Sequence, residues 1–131
     1  MKPALLLYLA LAGAAGAWSR LLIGEIPLLA TTDEQFPLTT LFCNLLGSFL
    51  LALFVATFAT RLSETFRIVI ATGFFGAFTT FSTLNVDLLS LLESGRYSAA
   101  TLYFFVSLLG GLLLVWCGFR ISRWRVAGTN P

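Results

Sequence analysis

Thr72-Gly-Phe-Phe-Gly-Ala-Phe-Thr-Thr-Phe-Ser-Thr-Leu-Asn-Val-Asp87 lies inside a long apolar segment, yet its composition is wrong for an uninterrupted spanning helix. Gly73 and Gly76 loosen the backbone. Thr79, Thr80, Ser82 and Thr83 form a near-continuous hydroxyl run, and Phe74, Phe75, Phe78 and Phe81 alternate with them. The pattern predicts a helix that breaks near Gly76–Thr80. A break frees backbone N–H and C=O groups at membrane depth, which is tolerated only where they are buried in protein or line a wet path. Discontinuous helices are also where membrane proteins hold ions. The competing reading is a Phe-rich packing helix whose threonines bond back to their own carbonyls. The stretch by itself leaves both open.

The surrounding chain of 131 residues is 58% hydrophobic and 11% charged, with a mean hydropathy of +0.92. That is more apolar surface than a soluble core of this length can absorb, so the solvent is a bilayer. Residues 1–131 read as one all-α membrane domain with four spans, at about 4–24, 38–60, 67–92 and 98–120. The third exceeds the ~20 residues a straight span needs, which fits an interruption. The opening also resembles a signal peptide, with Lys2, an apolar core and Ala15-Gly16-Ala17. Apolar character resumes at Leu21-Leu22-Ile23 and three more spans follow, so the segment is read as a retained span.

In the first span Gly13, Gly16, Ala17, Arg20 and Gly24 fall near one helical face, and small residues there admit a close neighbour. Arg20 reads first as a snorkelling anchor; the alternative is a buried cation that holds structure or attracts an anion. In the second span Thr40, Asn44 and Ser48 recur at i, i+4, i+8 beside Gly47. The Asn44 amide needs partners away from water: either an interhelical hydrogen bond, or an N–H donor facing a pore. Arg61 to Arg67 reads as a short polar loop, Glu93 to Tyr97 as a tight turn through Gly95. Asp87 lies about two turns from the end of the third span, where water can reach it. In the fourth span Ser107 and Gly111 share a face, and Tyr97, Tyr103, Trp116 and Trp124 suit interfacial levels. Arg120, Arg123 and Arg125 precede a loose polar tail.

Four spans put both termini on one side, with Lys2, Arg61, Arg67, Arg120, Arg123 and Arg125; the other side holds Arg96 and, marginally, Arg20. The positive-inside rule then places both termini in the cytoplasm. Histidine is absent. Cys43 and Cys117 sit in apolar runs without acidic neighbours, a poor metal set, and are read as packing residues. No nucleophile–base pair, phosphate loop or basic run is present, which argues against an enzyme and against nucleic acid. Polar donors without carboxylates line the inner stripes: Asn44, Ser48, Thr79, Thr80, Ser82, Thr83 and Ser107. Phenylalanines stand among them, and ring edges are positive. Together these features suggest anion handling by an oligomer, because four helices cannot enclose much of a pore.

Gly13-x-x-Gly16-x-x-x-Arg20, Thr40-x-x-x-Asn44-x-x-Gly47 and Thr72-Gly-Phe-x-Gly-x-x-Thr-Thr-Phe-Ser-Thr closely resemble the Fluc/CrcB family of bacterial fluoride channels, over all four spans. The resemblance implies an antiparallel, dual-topology dimer with two fluoride pores in the bacterial inner membrane, which lets toxic cytoplasmic fluoride leak out. It implies a structural Na⁺ at the dimer interface, held by the carbonyls of Gly76 and Thr79 from each subunit. Asn44 matches a pore-lining asparagine and Phe81 the first of two pore phenylalanines. Thr40 and Arg20 match positions at or near the vestibule.

Three positions depart from the family pattern. Leu84 stands where the second phenylalanine is expected, and the fourth-span hydroxyl track falls on Gly111 and Val115, leaving Ser107 polar one turn earlier. The charge bias is also unusual for dual topology. One hypothesis is therefore a fixed-orientation heterodimer with an oppositely inserted paralogue and one degenerate pore; the other is an ordinary homodimer. A small multidrug-type proton-coupled transporter is a further alternative, but that chemistry needs a carboxylate deep in the membrane, and the first span has none. A non-conducting structural subunit is the third class.

Overall fold

A computed structural model describes residues 3–29, 36–58 and 61–127, with side chains through residue 123. Lys2 and the side chains of Trp124 and Arg125 lie outside the described residues. The chain is all-helical: α1 (Pro3–Gly24), α2 (Leu38–Phe58), α3 (Glu64–Ile68), a π-helical segment (Val69–Phe74), α4 (Phe75–Phe78), α5 (Phe81–Glu93) and α6 (Tyr97–Ala127). Four helical stretches are long and apolar enough to cross a membrane: Pro3–Gly24, Leu38–Phe58, Glu64–Glu93 and Tyr97–Arg123. The third contains α3, the π-helical segment, α4 and α5.

Local chemistry sets the boundaries. Pro3 opens α1, where its missing N–H costs nothing. Ser63 caps α3, its Oγ accepting the Phe66 N–H at 3.3 Å. The third span therefore begins at Glu64, and Glu64–Arg67 is helix where hydropathy suggested loop. α5 ends in a Schellman turn: Gly95 has φ +70°, the Arg96 N–H reaches the Leu91 carbonyl at 2.9 Å, and the Gly95 N–H reaches Leu92 at 3.0 Å. α6 runs through Ala127, beyond the span end read at residue 120, so Arg120 and Arg123 stand on the helix.

Glycines decide which helices meet. α2 lies along α6, where a Cβ on Gly118 would come within 2.8 Å of the Phe49 carbonyl oxygen and 3.0 Å of the Leu53 nitrogen. α1 lies along the π-helical segment and α4. A Cβ on Gly16 would overlap the Phe74 carbonyl oxygen, and one on Gly73 would come within 2.9 Å of the Ala12 Cβ. The first half of the third span thus packs on α1, while α5 packs on α6. The break between them permits that change of partner. Most large apolar side chains on α1 and α6 are exposed, as expected of faces that meet lipid or a second chain.

Candidate functional site

The third span breaks at two residues. Thr79 (φ −82°, ψ 154°) and Thr80 (φ −145°, ψ 116°) are both extended. Before them, the π-helical turn carries the Phe75 N–H to the Ile70 carbonyl, five residues back. After them, Thr80 caps α5, its Oγ1 accepting the Thr83 N–H at 3.1 Å. The Thr79 hydroxyl donates back to the Phe75 carbonyl at 2.9 Å, so the back-bonding expected of a packing helix holds for this one threonine.

Asn44 of α2 grips the break. Its Oδ1 accepts the Thr80 N–H at 2.7 Å, and its Nδ2 donates to the Thr80 carbonyl at 3.0 Å. This is the interhelical hydrogen bond of the two sequence readings, made to backbone; one Nδ2 hydrogen remains for another acceptor. In an intact helix the Thr80 N–H would bond the Gly76 carbonyl, and the Thr83 N–H would bond that of Thr79. Both N–H groups are instead taken by side-chain oxygens. The Gly76 and Thr79 carbonyls thereby lose their helical donors, and Gly76 is exposed with open space where a Cβ would stand. Two carbonyls released from their helical donors are the kind of oxygen ligand a hard cation takes, so the donor chemistry of this pair is compatible with the role the resemblance implies.

A hydroxyl cluster adjoins the break. The Thr80 hydroxyl donates to Thr83 Oγ1 at 2.8 Å and lies 3.3 Å from Ser82 Oγ. Arg20 of α1 turns inward, its Nη1 donating to Thr83 Oγ1 at 3.5 Å, while its Nε is sealed from solvent without a partner. The snorkelling expectation is corrected. Facing water from the end of α1 would leave the hydroxyl cluster without the cation that now meets it.

The phenylalanines divide. Phe75 and Phe78 are buried, Phe74 stacks on Phe78 with centroids 5.9 Å apart, and Phe54 meets Phe75 at 6.3 Å. These are packing residues. Phe81 is 79% exposed and points away from its own chain's interior.

A second polar knot lies further along. Tyr103 is 0% exposed, its hydroxyl donates to Asp87 Oδ2 at 3.1 Å, and Phe36 meets its ring edge-on at 5.6 Å. Tyr103 is therefore no interfacial anchor, because the Asp87 carboxylate, half-buried in the span, draws it inward. Thr40 is buried beside the same phenol. Leu84 packs on this cluster with Leu91 and Ala100. Ser107, one turn beyond Tyr103, has an Oγ sealed from solvent without a protein partner. Gly111 has open space before it, and Val115 is half-buried. The structure thus gathers Arg20, Asn44, Thr80, Ser82 and Thr83 at the break and sets Thr40 against Tyr103. Asp87 and Tyr103 were missed as a pair; the available signal was a carboxylate at membrane depth, which requires a donor.

Comparison with known proteins places these features in context. A family model described as CrcB-like protein, Camphor Resistance (CrcB), matches residues 7–119. The chain belongs to the CrcB family. Similar proteins include one from Symbiobacterium thermophilum named fluoride-specific ion channel FluC 2, 46% identical over 87% of this chain and 94% of its own length. A Desulfitobacterium hafniense protein named fluoride-specific ion channel FluC 1 is 48% identical over 82% of this chain and 94% of its own. An Acinetobacter baumannii protein named fluoride-specific ion channel FluC is 39% identical over 94% and 96%. The CrcB match takes in most of each of the four apolar helices and the break between α4 and α5.

Proposed function

We propose that this chain is a subunit of a fluoride channel that passes fluoride passively out of the bacterial cytoplasm; it is not an enzyme. Membership of the CrcB family and the names of its relatives support this. The observation that carries it to the residues is the exposed Phe81 ring beside the hydroxyl cluster at a broken helix. Fluoride is small and strongly hydrated, so a path must replace its water with close donors. The remaining Asn44 N–H, the hydroxyls of Thr80, Ser82, Thr83 and Ser107, and the positive edge of Phe81 are such donors. Arg20 supplies positive charge at the cluster's edge.

The functional unit is an antiparallel pair of chains. In support, Phe81 and Gly76 lie open on a single chain, an arrangement that a second copy would seal. Gly76 and Thr79 from two copies would offer four carbonyl oxygens to a structural Na⁺, whose charge would tie the two breaks together. Replacing Na⁺ by a bulky organic cation should then lower the stability of the dimer.

A second reading rests on charge. The Thr57 hydroxyl donates to buried Ser122 Oγ at 3.1 Å, which sets the end of α2 beside the end of α6. Arg61, Arg67, Arg120 and Arg123 therefore share one end of the bundle. That bias favours one orientation with both termini cytoplasmic, and hence an oppositely inserted paralogue as the partner. Fluoride efflux from liposomes containing only this chain separates the readings. Fast efflux, abolished by Phe81→Ile, is expected of a homodimer. Stable dimers that pass no fluoride would overturn the homodimeric channel and leave the paired form.

A further inference from the structure

The last three turns of α6 carry a feature that fluoride conduction does not use. Trp116, Phe119, Arg120 and Arg123 enclose a cleft of about 260 Å³ on the outer surface of the bundle. All four residues are exposed. The Arg120 guanidinium lies over the Trp116 ring, 5.7 Å from its centroid. Stacking occupies one face of the guanidinium and leaves its N–H edge free to meet an oxyanion. Arg123 follows one turn later on the same side. Among the described residues, no carboxylate is paired with either arginine.

Depth decides what this cleft meets. Exposed aromatic residues favour the membrane interfaces. Among the described residues of α6 the exposed tyrosine and tryptophan, the two types that form interfacial belts, are Tyr97 at one end and Trp116 near the other. The exposed Phe104 and Phe105 lie between them. At 1.5 Å per residue Tyr97 and Trp116 stand ~29 Å apart, close to the ~30 Å thickness of the hydrocarbon layer. Arg120 and Arg123 then lie ~6 and ~10 Å beyond the hydrocarbon boundary, at the level of lipid phosphates. The hydrogen bond from Thr57 to Ser122 sets the end of α2 at the same level.

We propose that Arg120 and Arg123, over Trp116 and Phe119, form a binding site for the headgroup of an anionic phospholipid. The lipid phosphate meets the two guanidinium edges, and the first acyl carbons lie along the Trp116 and Phe119 rings. Basic clefts at this depth take anionic headgroups, each arginine adding about 1 kcal/mol of attraction. Two such charges correspond to about 30-fold in affinity for an anionic lipid, wild type over the protein with both arginines neutralised.

The test is native mass spectrometry of the purified full chain in nonionic detergent, titrated with phosphatidylglycerol or with phosphatidylcholine of the same acyl chains. The wild type should retain phosphatidylglycerol in preference. Arg120→Gln/Arg123→Gln should weaken that binding about 30-fold and leave phosphatidylcholine unaffected. Arg120→Lys/Arg123→Lys, which keeps charge and fold but loses the planar fork, should fall between them. Equal binding of the two lipids, or an Arg120→Gln/Arg123→Gln variant that binds as the wild type does, would overturn the site. So would an equal loss in Arg61→Gln, which would mean diffuse attraction to the whole basic end. Displacement of the lipid by inorganic phosphate would show a site for the free anion and overturn the lipid assignment. None of these outcomes depends on fluoride flux.

Discussion

Asn44→Ala should heal the break in the third span. The Asn44 amide makes two hydrogen bonds to the backbone of Thr80, at 2.7 and 3.0 Å. Side-chain hydrogen bonds within membranes are worth about 0.6–1.7 kcal/mol each, so the pair favours the extended Thr79–Thr80 conformation by about 1–3 kcal/mol. Alanine leaves the Thr80 N–H unpaired at membrane depth, and its nearest alternative acceptor is the helical one, the Gly76 carbonyl. Re-forming that bond straightens the helix and removes a carbonyl from the candidate cation site. The broken form should become about 5- to 150-fold less populated, and fluoride efflux should fall with it. Efflux from liposomes, read with a fluoride electrode, measures the loss. Amide exchange of Thr80 and stability in Na⁺ against a bulky organic cation report the break itself. Wild-type efflux from Asn44→Ala would refute the reasoning. Lost efflux with an unchanged Thr80 amide and an unchanged Na⁺ response would also refute it, and would assign Asn44 to direct contact with the ion.

Other substitutions probe the remaining contacts. Tyr103→Phe removes the donor to Asp87 and should destabilise the protein by about 1–3 kcal/mol; adding Asp87→Asn should recover much of that loss in thermal melts, as a double-mutant cycle. Gly16→Ala places a Cβ against the Phe74 carbonyl, with the Phe78 nitrogen 3.1 Å away. Backbone cannot rotate aside, so a loss of about 1–3 kcal/mol is expected in denaturation measurements. Gly111→Ser meets nothing within 4 Å, should change stability by less than about 0.5 kcal/mol, and should raise fluoride efflux by restoring a hydroxyl one turn beyond Ser107.

The break was legible because its residues are poor helix formers in a place where only helix is affordable. Gly73, Gly76 and the hydroxyl run from Thr79 to Thr83 gave its position to within a few residues. The π-helical turn before it was not legible, since one extra residue in a turn has no compositional mark. It coincides with a tertiary contact, Gly73 lying close against Leu9 and Ala12 of α1. The inward turns of Arg20 and Tyr103 were missed for a related reason. On a helix that is apolar all round, hydropathy does not encode rotation, so a cation near one end reads as an anchor and an aromatic near the other as a belt residue.

Rotation is encoded instead by polar groups that must find each other away from water. Arg20 and Thr83 orient α1 against α5. Asn44 and Thr80 orient α2 against the break, Asp87 and Tyr103 orient α5 against α6, and Thr57 and Ser122 orient α2 against α6. These pairs link all four spans, and three of them close a ring through α2, the third span and α6. Turning any helix of that ring would strand polar groups of two pairs at once, a cost of several kcal/mol. The same ring fixes which residues remain outside it. Gly76, Phe81 and Ser82 belong to none of these pairs and are exposed, so groups suited to ions stand open at the surface of a single chain.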